Sequence, residues 1–324
     1  MKRYSRLKGA KTGSVDLDRI LVEKASIDLA RKENVAIKVE GTEKVNGETI
    51  SLEFGYLSIV ENMAVIFQSF FDANLSEHSS VPYHTVEIIL KNCPKPITDK
   101  KLIFSMCLCA LMFDNPAVGF FDVLNIFEAN PNYTGIKLYK HVLGLNIKHQ
   151  SYSNLKELFV FMIDEYKLNI EAAILGELEY FSEVFENCKS EMQSGESFLL
   201  HLIYETEINS EESITQLTNF YGLPIVEGNN LTLMPRKKNG DGKTYLDMAN
   251  LRALEMVINR FTLRDRKCQL YEKCLNYLYR DDLQNRFEMT EECRDEQWKK
   301  KEICLMSASM RKYGLDKKNI TQRS

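Results

Sequence analysis

A chain of 324 residues with 44% hydrophobic and 27% charged side chains has the composition of an ordinary globular protein and can bury a large core. Length alone suggests two domains, or one with an appendage. The longest apolar run, Leu102 to Phe113, falls well short of the roughly 20 residues that span a bilayer, which excludes a spanning helix there and argues against a membrane partner.

The net charge of −4 hides blocks of opposite sign. Residues 151–230 carry three basic and fifteen acidic side chains, whereas residues 231–324 carry 21 basic and 14 acidic ones. Such blocks either face each other or face different partners.

Taken in order, residues 1–13 read as a basic flexible arm with Lys2, Arg3, Arg6, Lys8 and Lys11. Ser14 is placed to cap a helix running through Glu33, with Asp16 and Asp18 in its first turn. Val35, Ile37 and Val39 alternate, Asn46-Gly47 supplies a two-residue turn, and Ile50, Leu52 and Phe54 alternate again, which predicts a β-hairpin. Helical spacing then takes over. Ile59, Met63, Ile66 and Phe70 share one face, and Pro82 starts a short helix through Leu90. Thr98 caps the apolar helix, and Asn115-Pro116 opens the next, with Pro131 beyond its end. A short helix closes at Gly144.

Ser153 opens another helix, and Asn169 opens a longer one whose Ile170, Ile174, Leu178, Phe181, Phe185 and Cys188 form a stripe. The opposite face carries Glu171, Glu179, Glu183 and Glu186. Residues 196–234 read as helix, helix and hairpin, an order that resembles a winged-helix unit and is shared by many small α+β units. From Leu246 to Phe287 the pattern is helical without Gly or Pro. Leu251, Leu254, Val257, Ile258 and Phe261 lie on one side, opposite Arg252, Arg260, Arg266 and Lys267. Thr290 caps a last helix holding Trp298 and Leu305 and ending at Gly314. The predicted fold is therefore α+β and predominantly α-helical. It is a helical array (14–195) with an N-terminal β-hairpin, a small helix-helix-hairpin unit before long C-terminal helices (196–314), and a polar tail (315–324).

Eight cysteines include no C-x-x-C pair and fall mostly at apolar-face positions, which reads as reduced core thiols and a cytoplasmic setting. No secretory signal is visible. Gly240-Asp241-Gly242-Lys243-Thr244 ends like a phosphate-binding loop, but Lys237 stands where its first glycine belongs, so a turn at a hairpin tip is expected. Tyr279-Arg280-Asp281-Asp282 matches the Y-x-D-D string of reverse transcriptases, yet its flanks read as helix and not as the hairpin that presents two carboxylates to metals. The five histidines show no metal-ligand spacing, and His201 reads as a hydrogen-bonded core residue. No cofactor fingerprint, nucleophile elbow or metal site is expected.

Three readings of function remain. The first is a non-enzymatic interaction or assembly protein that joins a protein partner or further copies of itself through its acidic (151–230) and basic (231–324) surfaces. The alternative is a nucleic-acid-binding protein whose Arg236, Lys237, Lys238, Lys243, Arg252, Arg260, Arg266, Lys267 and basic termini meet phosphates. The third is an enzyme with a carboxylate-based site, because paired acids distant in sequence leave no local signature.

Overall fold

The computed structural model describes residues 6–9, 15–72, 78–206, 208–222, 226–227, 232–233, 243–262, 268, 293, 296–300 and 304–318. The chain forms two compact units, Met1–Ile163 with Asn187–Tyr221 and Asp164–Glu186 with Gly222–Ser324. The fold is α+β and mostly helical.

The first unit opens on an antiparallel sheet of β1 (Leu17–Leu21), β2 (Ile37–Glu43) and β3 (Thr49–Phe54), in that order. β2 and β3 form the expected hairpin, with Ile37 opposite Phe54 and Thr42 opposite Thr49. Ile37 and Val39 are buried while Lys38 and Glu40 are exposed, the period of two that a half-buried strand requires. The turn is longer than two residues. Glu43 N–H donates to the Glu48 carbonyl and Gly47 N–H to the Glu43 carbonyl, and Gly47 takes the positive φ of 72°.

The predicted helix from Ser14 is corrected. Residues 17–21 are a strand paired with β2, and only α1 (Lys24–Glu33) is helical. Burial of Leu17 and Ile20 against the sheet outweighs the local helix signals. Asp16 accepts from Ser80 N–H, and Leu17 N–H donates to the Ser80 hydroxyl, so the acid meets a distant loop and no helix start. Ser14 itself lies outside the described residues. Part of the N-terminal arm is also tied down. Leu7 is buried, and the Arg6 and Lys8 carbonyls accept from Ala36 and Leu57 N–H.

Helices follow as α2 (Tyr56–Ser69), α3 (Ser80–Tyr83), α4 (Thr85–Lys91), α5 (Lys100–Ala110), α6 (Pro116–Ala129) and α7 (Gly135–Leu143). After them come α8 (Leu155–Ile174), α9 (Tyr180–Ser194), α10 (Phe198–Glu205) and α11 (Glu211–Tyr221). Several starts are written locally. Asp99, one residue after the expected Thr98, accepts from Lys101 N–H, and Asn115, Thr134 and Ser197 cap α6, α7 and α10. Phe54 packs edge-on against Phe120 and Phe121 at 5.6 and 5.8 Å, and Met106, Cys107, Cys109 and Leu138 are fully buried beside α6 and α7. Each such large side chain contributes about 1.5–3 kcal/mol by leaving water.

The break between α8 and α9 is a second correction. Helix runs unbroken through Asn169 and stops at Ile174, and α9 begins at Tyr180.

In the second unit β4 (Val226–Glu227) and β5 (Thr232–Leu233) pair antiparallel, the hairpin expected after two helices. α12 (Lys243–Thr262) and α13 (Leu305–Lys312) pack around Met256, Trp298, Met306 and Met310. Trp298 lies in a turn before the last helix, not within it, because Cys304 and Ser307 form the reciprocal cap that starts α13. Gly314 ends the segment at a φ of 64°. Thr290 and residues 263–267 and 269–287 lie outside the described residues; the helix expected to run unbroken to Phe287 ends at Thr262, and Cys268, described between them, is not helical.

Candidate functional site

The basic face of α12 is the first candidate, and its described members are already engaged. Arg252 is ion-paired with Glu255 on its own helix. Arg260 is only 7% exposed. Its Nε donates to Gln297 Oε1 and its guanidinium stacks 5.2 Å from the Trp298 ring centre. Gln297 Nε2 in turn donates to the Cys293 carbonyl, and Lys300 Nζ sits 2.9 Å from Cys293 Sγ. Arg260 is therefore packed into the unit's core and not displayed on an open basic face. α12 turns Asp247, Ala253, Met256 and Arg260 inward, and leaves Ile258 and Phe261 about half exposed. Its buried face is not the predicted stripe of Leu251, Leu254, Val257, Ile258 and Phe261. Lys243 is the first residue of α12, not part of a turn at a hairpin tip. Arg236, Lys237, Lys238, Arg266 and Lys267 lie outside the described residues, as do Cys274 and the Y-x-D-D string at 279–282.

The acidic segment 164–186 of the same unit is built differently. It holds seven carboxylates against the single Lys167, which pairs with Glu186 at 3.5 Å. Glu165, Glu177, Glu179, Glu183 and Glu186 are exposed. Asp247, 1% exposed, places its carboxylate at the start of α9 and accepts from the Glu179 and Phe181 N–H groups at 3.0 Å. A carboxylate at a helix N-terminus satisfies orphan donors and the dipole together. It is supplied by α12, so no local cap signal marks this helix start.

Leu175 ends α8. Gly176 N–H donates to the Glu171 carbonyl and Leu175 N–H to the Ala172 carbonyl, which makes Leu175 the left-handed residue of a Schellman cap. Its φ is 53°, and the side chain is 59% exposed. Glycine is the usual occupant of that position, and a residue with a Cβ costs about 1–2 kcal/mol there. Leu168, seven residues earlier on α8, is 58% exposed, and Ala172 between them is exposed as well.

The first unit holds a cavity of about 400 Å³ that sequence reasoning missed. Its walls are mostly apolar and include Leu111, Phe159 and Met192. Into it comes Glu191 of α9, 8% exposed, whose carboxylate accepts from Tyr221 OH at 2.9 and 3.0 Å and from Phe198 N–H at 2.9 Å. Burial pushes the Glu191 carboxyl above the ordinary carboxylate range, opposed by the hydrogen bonds from Tyr221, Ser197 and Phe198. Burial also pushes the Tyr139, Tyr221 and Cys188 groups up. One signal was present. Glu191 continues the Phe185–Cys188 stripe at a spacing of three, so an acid stood where an apolar residue was due.

His201 is not a core residue. It is half-buried between Glu196 at 2.8 Å and Glu205 at 3.0 Å, and its hydrogen bond to Glu196 raises its pKa. Among the described residues there is no disulfide, no cluster of three or more His, Cys, Asp or Glu able to hold a metal, and no helix long and apolar enough to cross a membrane.

No protein-family model matches the chain, and comparison with curated proteins and with solved structures found no match.

Proposed function

We propose that this chain is a non-enzymatic assembly protein that associates with further copies of itself. The acidic face of residues 164–186 on one copy meets the basic segment 231–324 of another. Leu175 is the observation that carries this reading. A leucine there bears backbone strain and exposes its side chain to water, two costs that glycine would avoid at once. A covering partner recovers the second cost, since burying a leucine contributes about 1.5–3 kcal/mol. The carboxylates around it choose a basic partner, and the chain carries a basic segment of its own. The nucleic-acid alternative loses Arg252 and Arg260 to partners within the chain.

Sedimentation of nuclease-treated protein over a wide concentration range tests the reading. Mass should rise with protein concentration at about 50 mM salt and much less so at about 500 mM, because added ions screen facing charges. Glu177→Lys with Glu183→Lys should abolish the rise. A monomer at every concentration, or association indifferent to salt and to both substitutions, overturns it. Co-purifying nucleic acid that alone sustains the larger mass would favour the alternative.

A further inference from the structure

We propose that the cavity of the first unit is a binding site for a hydrophobic amine, an ammonium group carried on an apolar chain or ring. A cavity of about 400 Å³ is within the usual range for small-molecule sites. Its walls are mostly apolar, and the buried Glu191 carboxylate is among the few polar groups that line it.

That carboxylate is held by neutral donors, the Tyr221 hydroxyl and the Phe198 N–H, with the nearby Ser197 hydroxyl also favouring its charged form. Among the described residues no lysine, arginine or histidine acts on it. A carboxylate is otherwise buried with a cation, because desolvating an unpaired charge is costly. Burial accordingly raises the Glu191 pKa, the direction that an entering cation would reverse. Phe159, Tyr139 and Tyr221 add aromatic rings to the lining, and an ammonium is attracted to aromatic faces. The apolar remainder of the site accepts a hydrocarbon body and offers little to a hydrophilic amine.

The discriminating experiment uses three probes with the same chain, octylamine, octanol and octanoate, titrated calorimetrically into the full-length protein near neutral pH. Octylamine should bind at least about tenfold more tightly than octanol, since a hydrogen bond between two charged groups is stronger than one from a neutral hydroxyl. Octanoate should bind most weakly. Glu191→Gln, close in shape, should bring amine and alcohol to equal affinity. Leu111→Trp, which fills the cavity, should remove binding of all three. The wild-type comparison decides even where a variant fails to fold. Octanol binding as well as octylamine, or no binding of octylamine, overturns the proposal, as does an amine preference that survives Glu191→Gln in a folded variant.

Discussion

Two helix starts show how differently the two units are held. In the first unit α6 begins at Asn115, whose side-chain oxygen accepts from Val118 N–H three residues on, and whose amide also donates to the Val35 carbonyl at 2.9 Å. In the second, α9 begins against Asp247, which lies 66 residues beyond Phe181 in the chain. The contrast extends to the cores. Around α5, α6 and α7 the interior is mostly hydrocarbon and sulfur, and its buried polar side chains, Ser105 and Asn115, are uncharged. Around α12 and α13 the buried side chains include Asp247, Arg260, Gln297 and Lys300 beside Met256 and Trp298. One region is stabilised by apolar burial with local caps. The other depends on polar pairs that only the completed fold brings together, and such pairs are costly to break singly.

Single substitutions put that contrast to the test. The largest effect should come from Phe120→Ala, which opens a hole beside Phe54 and should cost about 3–5 kcal/mol in chemical denaturation. Asp247→Ala should cost about 2–4 kcal/mol, because it strands two N–H donors without an acceptor. Amide exchange at Glu179 and Phe181 should accelerate first. If it costs no more than an ordinary cap, the second unit is not held as described. Thr134→Ala removes a local cap of α7 and should cost about 1 kcal/mol, readable as a small drop in the denaturation midpoint.

The smallest effect belongs to His201. Its pKa is raised above the ordinary 6.5 by Glu196 and Glu205, so its stabilisation is complete below that ordinary value and fades as pH rises through the raised one. The group is half-buried, so His201→Gln should cost less than about 1 kcal/mol at pH near 6 and almost nothing at pH near 9. A larger cost at the higher pH would contradict the sign.

The same contrast explains what was legible beforehand. The hairpin at 37–54 and the helix opening at Asn115 were readable because their alternation, cap and apolar faces lie within a few residues of one another. The strand at 17–21 was not, since Leu17 and Ile20 become a strand only by pairing with Glu43 and Gly41. Nor was the break at 175–179, where a leucine holds the position expected for glycine and the cap comes from Asp247. The candidate sites were less legible than the fold. Arg260 looks like a solvated arginine until Gln297 and Trp298 are brought to it, and Glu191 looks like one more acid in an acidic stretch until Tyr221 closes over it.

Leu175 offers the most direct test of the account, because fold and assembly pull its substitution in opposite directions. Glycine at this left-handed position relieves strain, so Leu175→Gly should raise the stability of the chain by about 1 kcal/mol. The same change removes the apolar side chain from the proposed interface and should weaken self-association about tenfold or more. Sedimentation and denaturation of one variant therefore give the answer together. A more stable protein that assembles less well is the result the account predicts. A variant that assembles as the wild type does, whatever its stability, would contradict it.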